Sequence, residues 1–146
     1  MKFKVPNRQF SRLYQRFLHH LAGSAVLVLT TTGRKSGKSH SVGLQYELID
    51  GKYWVGAADG EKADWYRNLR ALPNARIQAG PKRFTVTAEL VDDPQRIMDF
   101  LTYRLKKRPL LLRIILHLGG LKGRITQEKL RAYAGNIRVV VFTPES

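Results

Sequence analysis

The spacing of apolar residues changes along the first third of the chain. After the candidate helix cap Asn7, apolar side chains recur every three or four residues, which predicts an amphipathic first helix. Segment 25–32 is a run of apolar and β-branched residues that predicts a buried strand. Segment 41–48 alternates between apolar and polar residues, so we expect a second strand with Leu48 facing the core and Glu47 facing outward.

Turn signals and further periodic segments follow. Asp50-Gly51 tolerates positive φ at both positions and predicts a hairpin into a third antiparallel strand. Further strands are predicted at 75–79, 82–91 and 137–142. Helices are predicted at 64–71, after Asp93-Pro94, within 110–118 and after Thr126. Five or six strands joined mainly by hairpins favour an antiparallel barrel with helices packed outside, in a single domain spanning 1–146.

Composition limits the class of protein. With 43% hydrophobic and 25% charged residues in 146 positions, the chain has the composition of an ordinary globular domain. The lack of cysteine excludes disulfides, a cysteine nucleophile and thiolate-bound zinc, and it fits a cytoplasmic location. The start of the chain lacks the features of a secretory signal, and the most apolar stretch, 110–118, is too short to span a bilayer.

The positive charge narrows the candidate partners. Lysine and arginine number 26 against 11 aspartate and glutamate residues, and the formal charge of +15 attracts polyanions. Nucleic acid, acidic lipid and a phosphorylated or polyglutamylated cofactor all meet that condition. The four histidines have no metal-ligand spacing, so no metal site is predicted. No nucleophile elbow or carboxylate pair supports a hydrolase.

A basic turn follows the first predicted strand. Its two glycines have three residues between them instead of the four of a Walker loop, and a strand follows rather than a helix, so we reject a P-loop ATPase. The turn still concentrates donors that can surround phosphate or carboxylate oxygens: Arg34, Lys35, Ser36, Lys38 and His40. The alternative is a solvated hairpin tip without a ligand.

A second candidate segment, 57–71, joins a strand end of small residues to a short helix. Ala57 and Ala58 would let a flat ring approach the backbone closely. Trp65 could flank such a ring and Asn68 could donate a hydrogen bond to a cofactor oxygen, whereas core packing is the alternative for Trp65. The segment therefore favours a redox cofactor that brings its own chemistry.

Together, the motifs LTTTGRKSGKSHSVGL and ADGEKADWYRNLRALPNARIQAGPKRF resemble the deazaflavin-dependent nitroreductase family of split β-barrel flavin and deazaflavin oxidoreductases. The likeness covers roughly 25–91 and the terminal strand. It implies an FMN-binding-protein-like split antiparallel β-barrel, α+β or mainly β, with an N-terminal helix and helices packed outside. It also implies an oxidoreductase that transfers hydride between coenzyme F-420, an 8-hydroxy-5-deazaflavin with an anionic tail, and a quinone-, nitro- or enone-like acceptor.

The resemblance also implies roles for individual residues. The phosphate and tail would be held by Arg34, Lys35 and Ser36, with Lys38 and His40 at the following variable positions. The ring would be held by Ala57, Ala58, Trp65 and Asn68, and we add Lys62 between them. Members of the family have a tyrosine-rich wall where this chain has the basic, leucine-rich stretch 105–121. Tyr103 and Tyr133 are therefore the local candidates for acceptor contact or proton donation.

Several alternatives stay open beside the reductase. FMN could replace coenzyme F-420, or the barrel could carry a lipid, haem or flavin without catalysis. A nucleic-acid-binding barrel would use Tyr53 and Trp54 to stack bases. A homodimer is a further expectation. Basic residues around 110–118 also indicate peripheral membrane contact, for which burial against the barrel is the alternative.

Overall fold

A computed structural model describes residues 26–145, and the predicted first helix with its cap Asn7 lies outside that range. The strands within it are β1 (Val26–Thr32), β2 (Ser39–Gln45), β3 (Glu47–Ile49), β4 (Lys52–Ala57), β5 (Asn74–Ala79), β6 (Lys82–Val91) and β7 (Arg138–Pro144). The α-helices are α1 (Asp64–Ala71), α2 (Pro94–Lys107), α3 (Pro109–Leu118) and α4 (Gln127–Ala134). A 3-10 turn spans Gly60–Lys62. Each helix predicted within the described range is present, and the predicted strands are present except that the second is divided at Tyr46 into β2 and β3, which gives seven strands instead of the five or six predicted.

The strands form one antiparallel sheet in the order β2-β1-β5-β6-β7-β4-β3. β2 and β3 lie at opposite edges of this sheet, although only Tyr46 separates them along the chain. Because two residues extend at most about 7 Å, the sheet must curl until its edges approach each other at this corner. The curled sheet confirms the predicted antiparallel barrel with helices packed outside.

Local signals set the turns and helix starts. Asp50 and Gly51 have φ angles of 52° and 76°, so the predicted two-residue hairpin joins β3 to β4. The Asp93 side chain accepts a hydrogen bond from Gln95 N at 3.1 Å and caps α2. Thr126 caps α4 in the same way. These short-range contacts explain why the element boundaries follow the sequence closely.

β7 separates two hydrophobic clusters. Val140 and Phe142 pack inside the barrel, where the first cluster also includes Leu27 and Ile77. Val139 and Val141 face the other side, and the second cluster there contains residues from α2, α3 and α4. Successive side chains of a strand point to opposite faces, so a strand buried on both faces is apolar throughout. The continuous apolar run of the last strand therefore reflects helices packed outside the barrel.

The alternation predicted for 41–48 is wrong at its end. Val42 and Leu44 are buried as expected, but the strand is interrupted at Tyr46. Beyond it, Glu47 is 1% exposed and Leu48 is 51% exposed, the reverse of the prediction. The chain crosses here from one sheet edge to the other, and a shift of one position exchanges the faces of a strand. A carboxylate is therefore buried at the corner where the barrel is split.

Candidate functional site

The basic turn between β1 and β2 is closed by backbone hydrogen bonds. Gly33 N donates to Lys38 O at 2.7 Å, and Gly37 N donates to Gly33 O at 2.9 Å. Gly37 has a φ of +71°, a conformation that glycine adopts without strain. Ser36 Oγ accepts a hydrogen bond from Lys38 N at 3.2 Å. The backbone of the turn is thus ordered, while Lys35 and Lys38 remain exposed.

Arg34 is anchored to α1. Its backbone N and its Nη1 both donate to Asn68 Oδ1, at 3.2 and 2.8 Å. Its Nη2 lies 3.5 Å from Asp64 Oδ1. Asn68 is 3% exposed, and its Nδ2 donates to Thr31 Oγ1 at 3.1 Å. One buried amide therefore ties together the end of β1, the basic turn and α1.

An open groove of about 790 Å³ lies between the basic turn and α1. The predicted cofactor residues in its lining are Arg34, Lys35, Ser36, His40, Trp65 and Asn68. The acidic residue in the lining, Asp64, is paired with Arg34. The structure thus brings most of the predicted tail-binding residues to one concave, positively charged surface.

A smaller inner cavity of about 50 Å³ lies where the helices cover the end of β4. Gly56 and Ala58 form part of its wall, and a Cβ atom added at Gly56 would meet no other atom within 4 Å. Gln45, Arg104 and Tyr133 contribute polar groups. Gln45 Nε2 is buried and has no hydrogen-bond partner among the described residues. The wall is therefore open to a flat group that needs a hydrogen-bond donor.

The groove and the inner cavity are lined by successive parts of β2. Val42 lines the groove, and Leu44 lines the inner cavity. Residues two apart in a strand face the same side and lie about 7 Å from each other. The two spaces are therefore neighbours along the strand, although their linings share no residue.

A buried ion cluster supports the inner cavity. Glu47 Oε2 accepts hydrogen bonds from Arg104 Nε at 3.2 Å and from Arg108 Nε at 2.9 Å. Lys107 Nζ lies 3.6 Å from Glu47 Oε1. Arg104 Nη2 donates to Gln45 Oε1 at 3.1 Å, which fixes the amide beside the cavity. Burial lowers the pKa of the Arg104 guanidinium, and the adjacent Glu47 carboxylate opposes that shift.

The two candidate tyrosines lie in different environments. Tyr133, on α4, lines the inner cavity, and burial raises the pKa of its hydroxyl while Arg104 acts in the opposite direction. Its hydroxyl is therefore protonated at neutral pH. Tyr103, on α2, is 37% exposed, accepts a hydrogen bond from Lys107 Nζ at 3.3 Å and lines neither space. Tyr133 thus lines the inner cavity and Tyr103 does not. Of the predicted ring residues, Ala58 also lines this cavity, whereas Trp65 and Asn68 line the groove.

The remaining predicted site residues divide between core and surface. Ala57 is 2% exposed and packs in the barrel core, whereas its neighbour Ala58 lines the inner cavity. Trp65 is 6% exposed, so core packing accounts for much of its surface even though it also lines the groove. Lys62 lies exposed in the 3-10 turn, outside both linings. Their contacts with a cofactor stay predictions.

Sequence reasoning missed the polar residues behind the inner cavity. The alternation of 41–48 predicts that Glu47 faces outward, and it places Gln45 on the same outward face. A signal was present for Arg104, which follows Ile97 and Leu101 at seven and three positions and so shares the apolar stripe of α2. A cation in such a stripe indicates a buried partner, but the spacing does not say which carboxylate that is.

Comparison with known proteins places this chain in a family. The family model described as F420H(2)-dependent quinone reductase matches residues 4–107. The chain belongs to this family. A relative in the F420H(2)-dependent quinone reductase family, from Mycobacterium tuberculosis (strain H37Rv), is 38% identical over 80 residues, which are 52% of this chain and 54% of that protein. The chain thus spans about half the length of the curated relatives it matches.

Solved structures resemble the fold of this quinone reductase family member. One, described as an F420-H2 dependent reductase (FDR-A), has a TM-score of 0.53 and 25% identity over 80% of this chain and 92% of that chain. The heme storage protein HutZ from Vibrio cholerae has a TM-score of 0.58 and 15% identity over 90% of this chain and 87% of that chain. These likenesses confirm the predicted split β-barrel.

Proposed function

We propose that this chain is an oxidoreductase that transfers hydride between coenzyme F-420 and a quinone-like acceptor. Family membership supports the class of reaction. The observation that carries the proposal is the pairing of a cationic groove with a small-walled inner cavity along one strand. A redox cofactor with a polyanionic tail and a flat ring would place its tail in the groove and one edge of its ring at the cavity.

The groove suits the cofactor tail because it is positively charged and because the backbone of its basic turn is ordered. Lys35 lines the groove and Lys38 is exposed on the same closed turn, so Lys35 would contact an anionic tail in the groove and Lys38 would attract it from outside the lining. Ser36 and His40 add short-range polar groups beside them. Arg34 is held by Asn68 and Asp64, so it orients the turn as well as adding positive charge. Part of the site is therefore ordered before a ligand binds, which reduces the entropy cost of binding.

The inner cavity, of about 50 Å³, would accommodate only one edge of the reacting groups, with the rest of the ring outside it. The free space at Gly56 and the small side chain of Ala58 allow close approach of a planar ring. Gln45 Nε2 supplies an unused donor to a ring or acceptor oxygen. Ligand entry into this space replaces water and brings the polar groups on its wall into a medium of low dielectric, where each interaction is stronger.

Two residues of the inner cavity suit the acceptor side of the reaction. The reduced cofactor, when bound, supplies a hydride in one two-electron step. Addition of hydride to a quinone leaves one negative charge on an acceptor oxygen, and one proton completes the quinol. Arg104, held by Glu47, would stabilise that charge, and the protonated hydroxyl of Tyr133 would supply the proton. Solvent then returns a proton to Tyr133.

Fluorescence titration with coenzyme F-420 in low salt tests the proposal. We expect saturable quenching that weakens about tenfold or more in an Arg34→Ala/Lys35→Ala variant, because the turn loses the contacts of Arg34 with α1 and the tail loses the charge of Lys35. The control is Lys82→Gln/Arg83→Gln, which removes two exposed cations on β6. Absence of binding in the unmodified chain, or equal weakening by both variants, would contradict the groove assignment.

The same titration with FMN and with haem tests the other cofactors. The likeness to HutZ shows only a shared fold. Base stacking by Tyr53 and Trp54 also has little support, since Tyr53 is 8% exposed and Trp54 stacks on Phe100 at 5.5 Å. The homodimer and the cytoplasmic location stay predictions.

A further inference from the structure

Helix α3 presents a row of uncovered apolar side chains. Leu110, Ile114 and Leu118 recur every four residues on one face and are 74%, 48% and 66% exposed. The opposite face packs inward, where Leu112 and Leu116 are fully buried. One face of α3 is therefore packed against the fold. The outer row of Leu110, Ile114 and Leu118, here called the α3 ridge, takes no part in that packing and is an exposed apolar patch.

The α3 ridge lies within a strongly basic part of the chain. Residues 100–127 contain no aspartate or glutamate. Arg113 and His117 directly precede the ridge residues Ile114 and Leu118 in the same helix, and both are exposed. Lys106 before the helix and Lys122 and Arg124 after it are exposed as well. Apolar side chains beside cations are the combination that lies in the interface of an anionic bilayer.

We propose that α3 docks this protein on the surface of a bilayer that contains anionic lipids, with the α3 ridge inserted among the lipids and the surrounding cations on the headgroups. Helix α3 is 10 residues long. None of the helices within residues 26–145 is long and apolar enough to cross a membrane. The proposed contact is therefore parallel to the surface.

Charge favours an anionic bilayer over a second copy of the chain and over segment 1–25 as the occupant of the ridge. A second copy would bring the same basic surroundings against its own, and like charges repel. The segment 1–25 carries five lysine and arginine residues and no acidic residue, so it is disfavoured for the same reason. An anionic lipid surface is attracted by the basic residues and accepts the apolar ridge.

Docking would bring the inner cavity close to the bilayer. Leu112 and Ile115 of α3 line that cavity, so only the thickness of one helix, about 10 Å, separates it from the ridge. An apolar acceptor dissolved in the bilayer would then have a short path to the site. The docking inference goes beyond the proposed reaction and does not depend on it, because vesicle binding needs no cofactor.

Cosedimentation with vesicles tests the inference. We expect the protein to bind phosphatidylcholine vesicles that contain phosphatidylglycerol and to bind pure phosphatidylcholine vesicles weakly. The variant Leu110→Gln/Ile114→Gln/Leu118→Gln should lose about tenfold or more in vesicle affinity, because three apolar side chains no longer insert. The variant Leu48→Gln/Leu72→Gln, at exposed apolar positions elsewhere, should change affinity less than about twofold.

A matched charge comparison separates local docking from general attraction. Arg113→Gln/Arg124→Gln and Lys82→Gln/Arg83→Gln each remove two exposed cations, and only the first pair adjoins α3. We expect the first pair to weaken binding at least about threefold more than the second. Equal weakening, or no binding to anionic vesicles by the unmodified chain, would overturn the proposal.

Measurements without lipid identify the other occupants of the ridge. If the triple glutamine variant melts at a lower temperature, another part of the chain covers the ridge; if it converts a dimer to a monomer in size-exclusion chromatography with light scattering, a second copy does. Either result would overturn membrane docking. Titration with coenzyme F-420 in the same variant should be unchanged, so failure of docking and failure of the reductase proposal are distinguishable.

Discussion

The basic turn and the Glu47 cluster use the same kinds of residue in opposite ways. In the turn, residues 33–40 include three cations and no acidic residue, and Lys35 and Lys38 are exposed. In the Glu47 cluster, one carboxylate that is 1% exposed contacts Arg104, Arg108 and Lys107. Cations outnumber anions in both regions, but Lys35 and Lys38 of the turn are exposed, whereas all three cations of the second region contact one buried carboxylate.

The basic turn is therefore suited to binding a ligand, and the Glu47 cluster is suited to holding residues of the inner cavity in place. Exposed cations add little to folding, and they stay available for an anionic ligand. A buried carboxylate among cations is costly to desolvate, but removing one partner leaves an uncompensated charge in the interior. The cluster thus holds Arg104 and Gln45 at the wall of the inner cavity, whereas the turn is built to receive charge from outside.

The largest expected effect comes from neutralising the carboxylate of the Glu47 cluster. Glu47→Gln should lower the free energy of unfolding by about 3–5 kcal/mol, because Arg104 becomes a buried charge without a counter-ion. Urea denaturation measures this loss. The control Glu89→Gln removes a surface partner of Arg96 and should cost less than about 1 kcal/mol. Similar losses in both variants would mean that Glu47 does not act as a buried ion.

The next effect separates the two candidate tyrosines. Tyr133→Phe should lower kcat about a hundredfold with a quinone acceptor if its hydroxyl supplies the proton. Tyr103→Phe should change kcat less than about threefold, since that residue lines neither space in the site. Steady-state kinetics with saturating reduced coenzyme F-420 gives both numbers. A larger effect at Tyr103 would move the acceptor site to the outer face of α2.

Removing the amide that ties the turn to α1 should affect both folding and binding. Asn68→Ala leaves Thr31 and Arg34 without their shared partner, which should cost about 1–3 kcal/mol of unfolding free energy. The affinity for coenzyme F-420 should fall as well, because the turn is no longer held in position. Asn68→Asp keeps an acceptor for Arg34 and should recover part of the affinity. Unchanged affinity in Asn68→Ala would show that the turn orders itself.

The smallest effect on stability belongs to the exposed lysines of the turn. Lys35→Gln/Lys38→Gln should weaken binding of coenzyme F-420 about tenfold at low ionic strength and leave the urea midpoint nearly unchanged. The difference from the unmodified chain should shrink in high salt, which isothermal titration at two ionic strengths detects. A loss that is independent of salt would point to packing rather than to charge.

Most of the fold followed from contacts between near neighbours in sequence. Alternation and β-branching predicted the strands, Asp50-Gly51 predicted its hairpin, and Asp93 predicted the start of α2. The residues of the basic turn could likewise be selected as one group, because they lie within a few positions of each other. The resemblance to known deazaflavin enzymes then implied the cofactor and the ring-side residues.

What the sequence determined by itself was therefore local: element types, turns, the charge of the basic turn and the family. The tertiary structure alone decided that Tyr46 bridges two sheet edges, that Glu47 is buried, and that Tyr133 rather than Tyr103 reaches the inner cavity. The physical reason is range. Periodicity and turn propensity act over a few residues. Curling of the sheet instead brings together positions that are far apart in the chain, such as Glu47 and Arg104. These long-range contacts determine which face of each strand and helix is buried.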